Sequence, residues 1–390
     1  MVLSTFKPFN FQLSTFNFLP SFKQMKYLIS CLICIIGLIL SACSHSTELT
    51  REYLPEIGTD VDYSVIYYIH ADSDYLYHDP DGQPIRENAK VLATAFEVAE
   101  QALSGEVFIY HQRPERKLLG LFPRRSSRFY HYRNGQLNNL VKYRHPNKKE
   151  DFLATESQLM NQYRAHNRTD NHQNHFLFFG HEIPSENGTG YHLSLPGIDV
   201  NTVAFADGIQ NFLLSDEDRF GLVVLSTCNN GTPAMAELLV PFTNVMLASP
   251  QNLHLSHFDS GRMSLLEDEP GISSLQLGHA MASQTYQRLD TTVHTTITLA
   301  LYDFRHVRTY INILTSLTAP KIVSDRSMQY HDNVDCAELF FLDPERHRKG
   351  VKTWYKPTRF GRQSDQLTHS GWGCRPEMKG RQGSDSPDNQ

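Results

Sequence analysis

Two apolar runs in the middle of the chain each end in one polar residue with reactive chemistry. The first, HFLFFGHEIP, ends at His181, and the second, LVVLSTCNNG, ends at Cys228. A buried strand of a parallel sheet reads as a continuous apolar run, and reactive groups collect where such strands end, at their carboxyl edge. We therefore expect neighbouring strands to present the imidazole and the thiol side by side. This pairing suits a cysteine nucleophile, because the thiolate attacks and a nearby imidazole activates it.

Apolar runs of strand length alternate with segments of helical spacing along most of the chain. The pattern predicts strands at 65–71, 106–112, 176–179, 222–225, 244–249 and 295–304, and helices at 89–103, 150–166, 201–212 and 233–242. Such alternation is typical of βαβ units and indicates a parallel sheet covered by helices on both faces. The Pro- and Arg-rich span 113–149 differs, because it reads as an insertion with a β-hairpin around Asn134-Gly135.

The N-terminal region has the pattern of an export signal. Lys26 precedes an apolar stretch at 27–40, which leads into the tetrad LSAC ending at Cys43. The tetrad resembles a bacterial lipobox, which implies that Cys43 is acylated and holds the protein on a membrane of the cell envelope. A transmembrane anchor is the alternative, but the run is shorter than the roughly 20 apolar residues that a span prefers. We predict an upstream extension at 1–24, a lipoprotein signal peptide at 25–42 and a tether at 43–59.

The cysteines of the exported chain divide into a pair and a single thiol. Six are present, of which two leave with the predicted signal and a third is the lipid site at Cys43. In an exported protein an even pair tends to form a disulfide and the odd cysteine is a free thiol. We predict a bond between Cys336 and Cys374, which both lie in the C-terminal segment, and a free Cys228. The alternative for Cys228 is a buried structural thiol.

Acidic and histidine residues follow two other predicted strands. Asp72 and Asp74 come directly after the first strand and are candidates for the substrate pocket or for a calcium site, although loop carboxylates are more often turn elements. His254, His257 and Asp259 follow the fifth strand, but histidines at this spacing on a loop are more often incidental, and no metal site is predicted there.

The charge balance excludes one class of partner. The net charge of -6 argues against a nucleic-acid binder, which would show a basic domain or stripe. The basic clusters at 113–133 and 346–362 are read as solvated surface.

Three blocks of the sequence resemble the clostripain-like cysteine peptidases, which belong to the clan of caspases, legumains, separases and gingipains. The first is IYYIHADSDYL, an opening strand with an acidic turn, and the second is the apolar run that ends at His181. The third and most specific is Cys228-Asn229-Asn230-Gly231, followed by a helix and the strand VMLAS. The resemblance covers roughly residues 63–314 in order and spacing and does not cover the C-terminal segment.

The resemblance implies an α/β fold of caspase-like type. We expect a three-layer sandwich with a mostly parallel central sheet at 60–319, interrupted by the insertion at 113–149. A C-terminal appendage at 320–374 and a disordered tail at 375–390 complete the expected organisation.

The resemblance also implies cleavage of peptide bonds, with Cys228 as nucleophile and His181 as general acid and base. The backbone N–H groups of Glu182 and Cys228 would form the oxyanion hole. Ser226 and Ser249 join the two aspartates after the first strand as candidates for the substrate pocket. The implied partners are a peptide or protein substrate and the lipid membrane reached through Cys43, with calcium as the one cofactor considered.

Two departures from the family pattern leave a second function open. The family has glycine directly after the histidine, whereas this chain has Glu182 there and glycine before it, at Gly180. A carboxylate near the nucleophile tends to raise the pKa of the thiol. Relatives with arginine specificity have aspartate two residues before the cysteine, where this chain has Ser226, so a basic P1 preference is not carried over. The alternative is an inactive caspase-like surface lipoprotein that binds peptides or partner proteins.

Overall fold

A computed structural model describes most of the chain that follows the predicted tether. The described residues are 60–72, 76–78, 84–114, 116–118, 122–124, 127–145, 149–185, 190–253, 257–309, 311–318, 332–339, 342–343, 348–360 and 365–375. The predictions for 1–59, including lipidation of Cys43, and those for Asp74, His254 and the tail beyond 375 lie outside these residues. In the described part of the chain, no helix is both long and apolar enough to cross a membrane.

In chain order the helices and strands are β1 (Val61–His70), β2 (Leu76–His78), β3 (Pro84–Arg86), α1 (Glu87–Gln101), β4 (Gly105–Gln112), β5 (Arg116–Leu118), β6 (Phe122–Arg124), β7 (Ser127–Arg133), β8 (Gln136–Tyr143), α2 (Ala154–Tyr163), β9 (Arg168–Phe179), α3 (Thr202–Gln210), β10 (Phe220–Ser226), α4 (Pro233–Leu239), β11 (Thr243–Ala248), a 3₁₀ helix (Ser260–Ser264), α5 (Leu265–Asp268), α6 (Ser274–Thr292), β12 (Ile297–Asp303), α7 (Phe304–Val307), α8 (Ile311–Thr318), β13 (Val334–Asp335), α9 (Cys336–Leu339), β14 (Val351–Lys356) and β15 (Gly373–Cys374). From β9 to β12 helices separate the successive strands, as the apolar pattern predicts, whereas β4 to β8 follow one another without a helix.

A nine-stranded sheet organises the molecule, in the order β14-β12-β11-β10-β9-β1-β4-β7-β8. The five strands from β11 to β4 are parallel to one another, and an antiparallel pair extends the sheet at each edge. The β7–β8 hairpin turns at Asn134 and Gly135, which both have positive φ, and it lies within the predicted insertion. At the opposite edge β14 comes from the predicted C-terminal appendage, so that segment contributes a strand to the main sheet.

Two apolar layers cover the two faces of this sheet. Successive side chains of a strand point to opposite faces, and in β9 Phe176 and Phe178 enter one core while Leu177 and Phe179 enter the other. Residues of α2, α3, α4 and α8 pack in the first core, and residues of α1 and α6 pack in the second. The predicted α/β three-layer sandwich with a mostly parallel central sheet is therefore confirmed.

A buried histidine in β9 makes the fold sensitive to acid. Within the described residues neither ring nitrogen of His175 has a hydrogen-bond partner, and burial lowers its pKa to about 3. The unfolded chain takes up this proton near pH 6.5, so the stability that a neutral His175 contributes is present above that pH and is lost as the pH falls toward 3. We expect this one residue to cost about 2 kcal/mol of unfolding free energy between pH 7.5 and pH 5.

Urea unfolding at pH 7.5 and pH 5 measures this effect. The variant His175→Leu should lose less stability on acidification than the wild type, because it has no proton to gain in the unfolded state. Replacement of the exposed His294 by glutamine is the matched control and should leave the pH difference unchanged. An equal pH difference in His175→Leu and wild type would contradict the assignment.

Candidate active site

Two neighbouring strands deliver His181 and Cys228 to the same edge of the sheet. His181 lies two residues beyond β9 and Cys228 two residues beyond β10, and these strands are parallel with Ser226 opposite Phe179. The N–H of Gly180 donates to the carbonyl of Ser226 at 3.4 Å, which continues the strand pairing up to the histidine. Both His181 and Cys228 are half-buried. The juxtaposition of strand ends that the two apolar runs predict is thus present.

The chain order places this edge where open α/β sheets bind ligands. From β1 the chain moves to β4 on one side, and it later returns to β9 and continues to β10 and β11 on the other side. The carboxyl ends of β1 and β9 therefore flank the point at which the strand order reverses, which is the usual position of a ligand crevice.

Asn230 joins the histidine loop to the cysteine loop. Its side-chain amide donates to the carbonyl of Ile183 at 2.9 Å and its oxygen accepts from the N–H of the same residue at 2.9 Å. The hydroxyl of Thr227 also donates to this oxygen, at 2.5 Å. Because both loops are tied through one buried amide, the segments after β9 and β10 form a single unit.

The surroundings of the Cys228 thiol favour its protonated form. The Sγ–H donates to Oδ1 of Asn252 at 3.0 Å, on the segment that follows β11. Burial is the largest cause that raises the pKa of the thiol, and the carboxylate of Asp332 acts in the same direction, against a hydrogen bond from the backbone of Leu253. The resting thiol is therefore a weaker nucleophile than an exposed cysteine at the same pH.

The surroundings of the His181 imidazole favour its neutral form. Burial lowers its pKa below the ordinary value of 6.5. Its backbone carbonyl accepts a hydrogen bond from the hydroxyl of Tyr191 at 2.9 Å, and Tyr191 lies close enough to Cys228 for the two to interact electrostatically. A neutral imidazole is the form that accepts a proton, so His181 is in the state that a general base requires.

Glu182 is held by two partners on opposite sides. Its Oε2 accepts from the side-chain amide of Asn229 at 2.7 Å, and its Oε1 is paired with the guanidinium of Arg375. The arginine offsets the negative charge of the residue that follows His181. Asn229 itself adopts the left-handed conformation, with φ of 56°.

Two of the predicted substrate-pocket residues face inward. Ser226 is fully buried, with its hydroxyl 3.0 Å from Nδ1 of His257 and accepting from the N–H of Phe258 at 2.9 Å. Ser249 is also fully buried, and its hydroxyl lies 2.7 Å from the carbonyl of Gln251 and 2.8 Å from that of Thr298. These hydroxyls brace the ends of β10 and β11 and do not line an open surface.

The remaining predicted acidic and histidine residues form hydrogen bonds and ion pairs with other segments of the chain. Asp72 is buried and accepts hydrogen bonds from both the N–H and the hydroxyl of Ser194. Asp259 pairs with Arg288 at 2.9 Å, and Arg288 also donates to the carbonyl of His257 at 2.6 Å. Within the described residues, His257 and Asp259 form no metal-ligating group of three.

The C-terminal segment packs directly on the cysteine loop. Asn333 donates from its side chain to the carbonyls of Asn229 and Pro250, each at 3.0 Å, and the N–H of Gly373 donates to the carbonyl of Gly231 at 2.9 Å. Cys336 and Cys374 form a disulfide, the pair that the sequence predicts. Cys228 is the free cysteine of the described residues. The predicted appendage is therefore part of the structure that holds the loop of Cys228.

Sequence reasoning missed several residues of this site. Asn252 follows β11 at the same sheet edge. Its position shortly after a predicted strand could have identified it as a site residue. Tyr191, Asn333 and Arg375 lie in irregular segments, where neither periodicity nor motif spacing marks them.

Gly231 of the Cys-x-x-Gly block occupies a position that has no room for a side chain. A Cβ there would lie 2.6 Å from the nitrogen of Pro250 and 2.7 Å from the hydroxyl of Tyr302. Since the proline neighbour is backbone, Gly231→Ala is expected to lower the unfolding free energy by about 1–3 kcal/mol and to move the loop that carries Cys228. Urea unfolding measures the first effect and the alkylation rate of Cys228 the second. Gly261→Ala, whose Cβ would meet a single atom at 3.4 Å, is the matched control. Wild-type stability in Gly231→Ala would show that the loop relaxes freely.

Comparisons with known proteins relate the chain to others by structure. No family model matches the sequence, and no curated protein matches it.

Solved structures give a match at low sequence identity. An inactive zymogen of a C11 protease from Parabacteroides distasonis superposes with a TM-score of 0.51 at 10% identity, over 82% of this chain and 92% of that chain. A secreted C11 cysteine protease from Bacteroides thetaiotaomicron, solved with an irreversible peptide inhibitor, has a TM-score of 0.45 at 8% identity, over 66% of this chain and 69% of that chain. The first match confirms, at the level of the fold, the resemblance to clostripain-like (C11) peptidases.

Proposed function

We propose that this protein is a cysteine endopeptidase of the clostripain-like type, anchored to a membrane of the cell envelope through acylated Cys43. Cys228 is its nucleophile and His181 its general acid and base. The observation that carries the proposal is the delivery of these two side chains by adjacent parallel strands to one edge of a caspase-like sheet. The substrate is a peptide or protein, in keeping with the peptide inhibitor bound to the structurally similar secreted protease.

The proposed reaction proceeds through an acyl-enzyme. His181 takes the proton of the Cys228 thiol, and the sulfur attacks the scissile carbonyl carbon while the carbonyl electron pair moves to oxygen. The backbone N–H groups of Glu182 and Cys228 donate to this oxyanion. The imidazolium then gives its proton to the leaving amine as the C–N bond breaks. A water molecule, deprotonated by His181, hydrolyses the thioester and restores the thiol.

The hydrogen bond from the thiol to Asn252 sets a condition on this reaction. The sulfur must leave that partner before it can transfer its proton to the imidazole. Before substrate binds, the raised pKa of the Cys228 thiol and the lowered pKa of the His181 imidazole both disfavour the thiolate–imidazolium pair. Substrate binding must therefore favour the charged pair, and reactivity toward small electrophiles is expected to be low without substrate.

A peptide-based electrophile tests the proposal. The full chain is incubated with a peptidyl chloromethyl ketone library and with iodoacetamide, and modified residues are mapped by mass spectrometry. We expect the peptidyl reagents to label Cys228 much faster than iodoacetamide does, with labelling abolished in Cys228→Ala and slowed in His181→Ala. The ratio of the labelling rates of Cys228 by the two kinds of reagent corrects for differences in the exposure of the thiol between variants.

The same experiment distinguishes the second candidate, a caspase-like lipoprotein that binds peptides without cutting them. The hydrogen bond from the Cys228 thiol to Asn252 favours this alternative. Equal labelling by both reagent types, insensitivity to His181→Ala and no cleavage of a mixed peptide library would replace the peptidase by the binding protein.

The membrane anchor is tested independently. Mass spectrometry of the mature N terminus from the native host should find a diacyl or triacyl group on Cys43. An unmodified N terminus that begins at another residue would refute the lipoprotein while leaving the peptidase proposal intact.

A further inference from the structure

Three buried side chains with metal-binding atoms meet at the carboxyl end of β1. Within the described residues His70, Asp72 and His192 form a group in which one ligand atom from each lies within 4.8 Å of the others. Each of the three is at most 5% exposed. His70 ends β1, Asp72 follows two residues later, and His192 belongs to the segment after His181, so the group joins a strand to a loop.

The spacing of the two imidazoles fits a shared metal ion. Nε2 of His70 lies 3.1 Å from Nδ1 of His192. Two nitrogens bound tetrahedrally to one Zn²⁺ at about 2.0–2.1 Å lie about 3.3 Å apart. The side chains therefore need only a small adjustment to hold an ion between them. In this structure the two nitrogens share one proton in a hydrogen bond, and a bound ion would take the place of that proton.

The charge of Asp72 supports the same interpretation. Its carboxylate is buried, and within the described residues no cationic group forms an ion pair with it. A buried carboxylate is unfavourable without a countercharge. Ser194 donates two hydrogen bonds to it, which fixes its orientation as outer-shell partners of metal ligands do. His145 interacts electrostatically with Asp72 but forms no ion pair with it, whereas a divalent cation bound by the group would supply the countercharge directly.

The donor set selects the kind of metal. Two imidazole nitrogens and one carboxylate suit Zn²⁺ and neighbouring transition metals. Calcium prefers six to eight oxygen ligands, so this group does not fit the calcium considered from the acidic pair at Asp72 and Asp74.

We propose that His70, Asp72 and His192 form a binding site for a divalent transition metal of the Zn²⁺ class, distinct from the Cys228 thiol. The bound ion ties the end of β1 to the segment 190–195. Tyr191, adjacent to His192, donates to the carbonyl of His181 at 2.9 Å, so the ion would stiffen the segment that contacts the histidine loop. Its role is structural, and it takes part in no bond-breaking step.

Metal analysis tests the site. The full chain is produced with zinc in the medium, treated with a weak chelator to remove loosely held ions, and analysed by inductively coupled plasma mass spectrometry. We expect one zinc per chain in the wild type and in Cys228→Ala, and at least a tenfold lower content in His192→Gln and Asp72→Asn. The His175→Leu variant removes a buried histidine outside the group and should keep its zinc.

Reconstitution with Co²⁺, combined with circular dichroism, distinguishes loss of the metal site from misfolding of the chain. The tetrahedral visible absorption of Co²⁺ should be present in the wild type and absent from Asp72→Asn, a nearly isosteric change whose circular dichroism should match the wild type. A wild-type chain without zinc and without the Co²⁺ spectrum would overturn the proposal, as would zinc retained in folded Asp72→Asn and His192→Gln. Loss of zinc only in Cys228→Ala would assign the metal to the thiol instead.

Discussion

Replacing His181 with alanine is expected to lower kcat/KM for peptide cleavage by about 10²–10⁴-fold, the range over which one general acid and base contributes. The loss should fall mainly on kcat, because in the proposed reaction the imidazole transfers protons and does not hold the substrate. Peptide hydrolysis, measured at several substrate concentrations with the wild type and the variant, separates the two constants. His294→Gln, which changes an exposed histidine, should behave like the wild type.

The pH profile of the wild type gives a second, independent signature of His181. The imidazole accepts the thiol proton only when neutral, and burial lowers its pKa below 6.5. The acid limb of kcat/KM should therefore fall below pH 6.5, and the variant should lack it. An unchanged kcat in His181→Ala, or an acid limb that persists there, would remove this residue from the mechanism.

Replacing both Cys336 and Cys374 with serine is expected to lower the unfolding free energy by about 4 kcal/mol, because the bond closes a loop with a sequence separation of 38. The same change should lower peptidase activity, since the bonded segment includes Gly373, which donates to the carbonyl of Gly231. Urea unfolding of the oxidised protein measures stability. The rate at which a peptidyl chloromethyl ketone labels Cys228 shows whether the candidate active site is still correctly formed.

The reduced wild type is the matched control for this double variant. Dithiothreitol should reproduce both losses in the wild type and change neither quantity in the variant. If the variant unfolds like the oxidised wild type, the C-terminal segment is held by its hydrogen bonds alone. If stability falls while the labelling rate does not, the segment supports the fold without positioning Cys228.

The apolar pattern predicted the centre of the sheet because buried parallel strands have almost no polar residues. It placed the third strand at 176–179, whereas β9 begins at Arg168. The first seven residues of that strand, RTDNHQN, contain no apolar side chain. Arg168, the first of these residues, is held in the strand by its pairing with Val61 of β1 and not by burial. Hydropathy therefore marks the buried half of such a strand and misses its polar half.

The candidate site was predictable to a similar degree. His181 and Cys228 follow from the ends of apolar runs, because strand ends are local in sequence. Their surroundings depend on contacts between distant segments. Asn333 lies 104 positions from Asn229, and Arg375 lies 193 positions from Glu182. The C-terminal residues were assigned to an appendage because the family resemblance does not reach them, and the sequence does not show that β14 pairs with β12.

The contacts of the last described residues bear on the timing of biogenesis. Gly373 and Arg375 are synthesised long after Cys228, yet they hold Gly231 and Glu182 in place. Until those residues have been synthesised, the loop that carries Cys228 lacks these partners. The loop that carries Cys228 therefore takes up its final contacts only after residues 373–375 have emerged, folded back and been linked to Cys336 through the disulfide at Cys374.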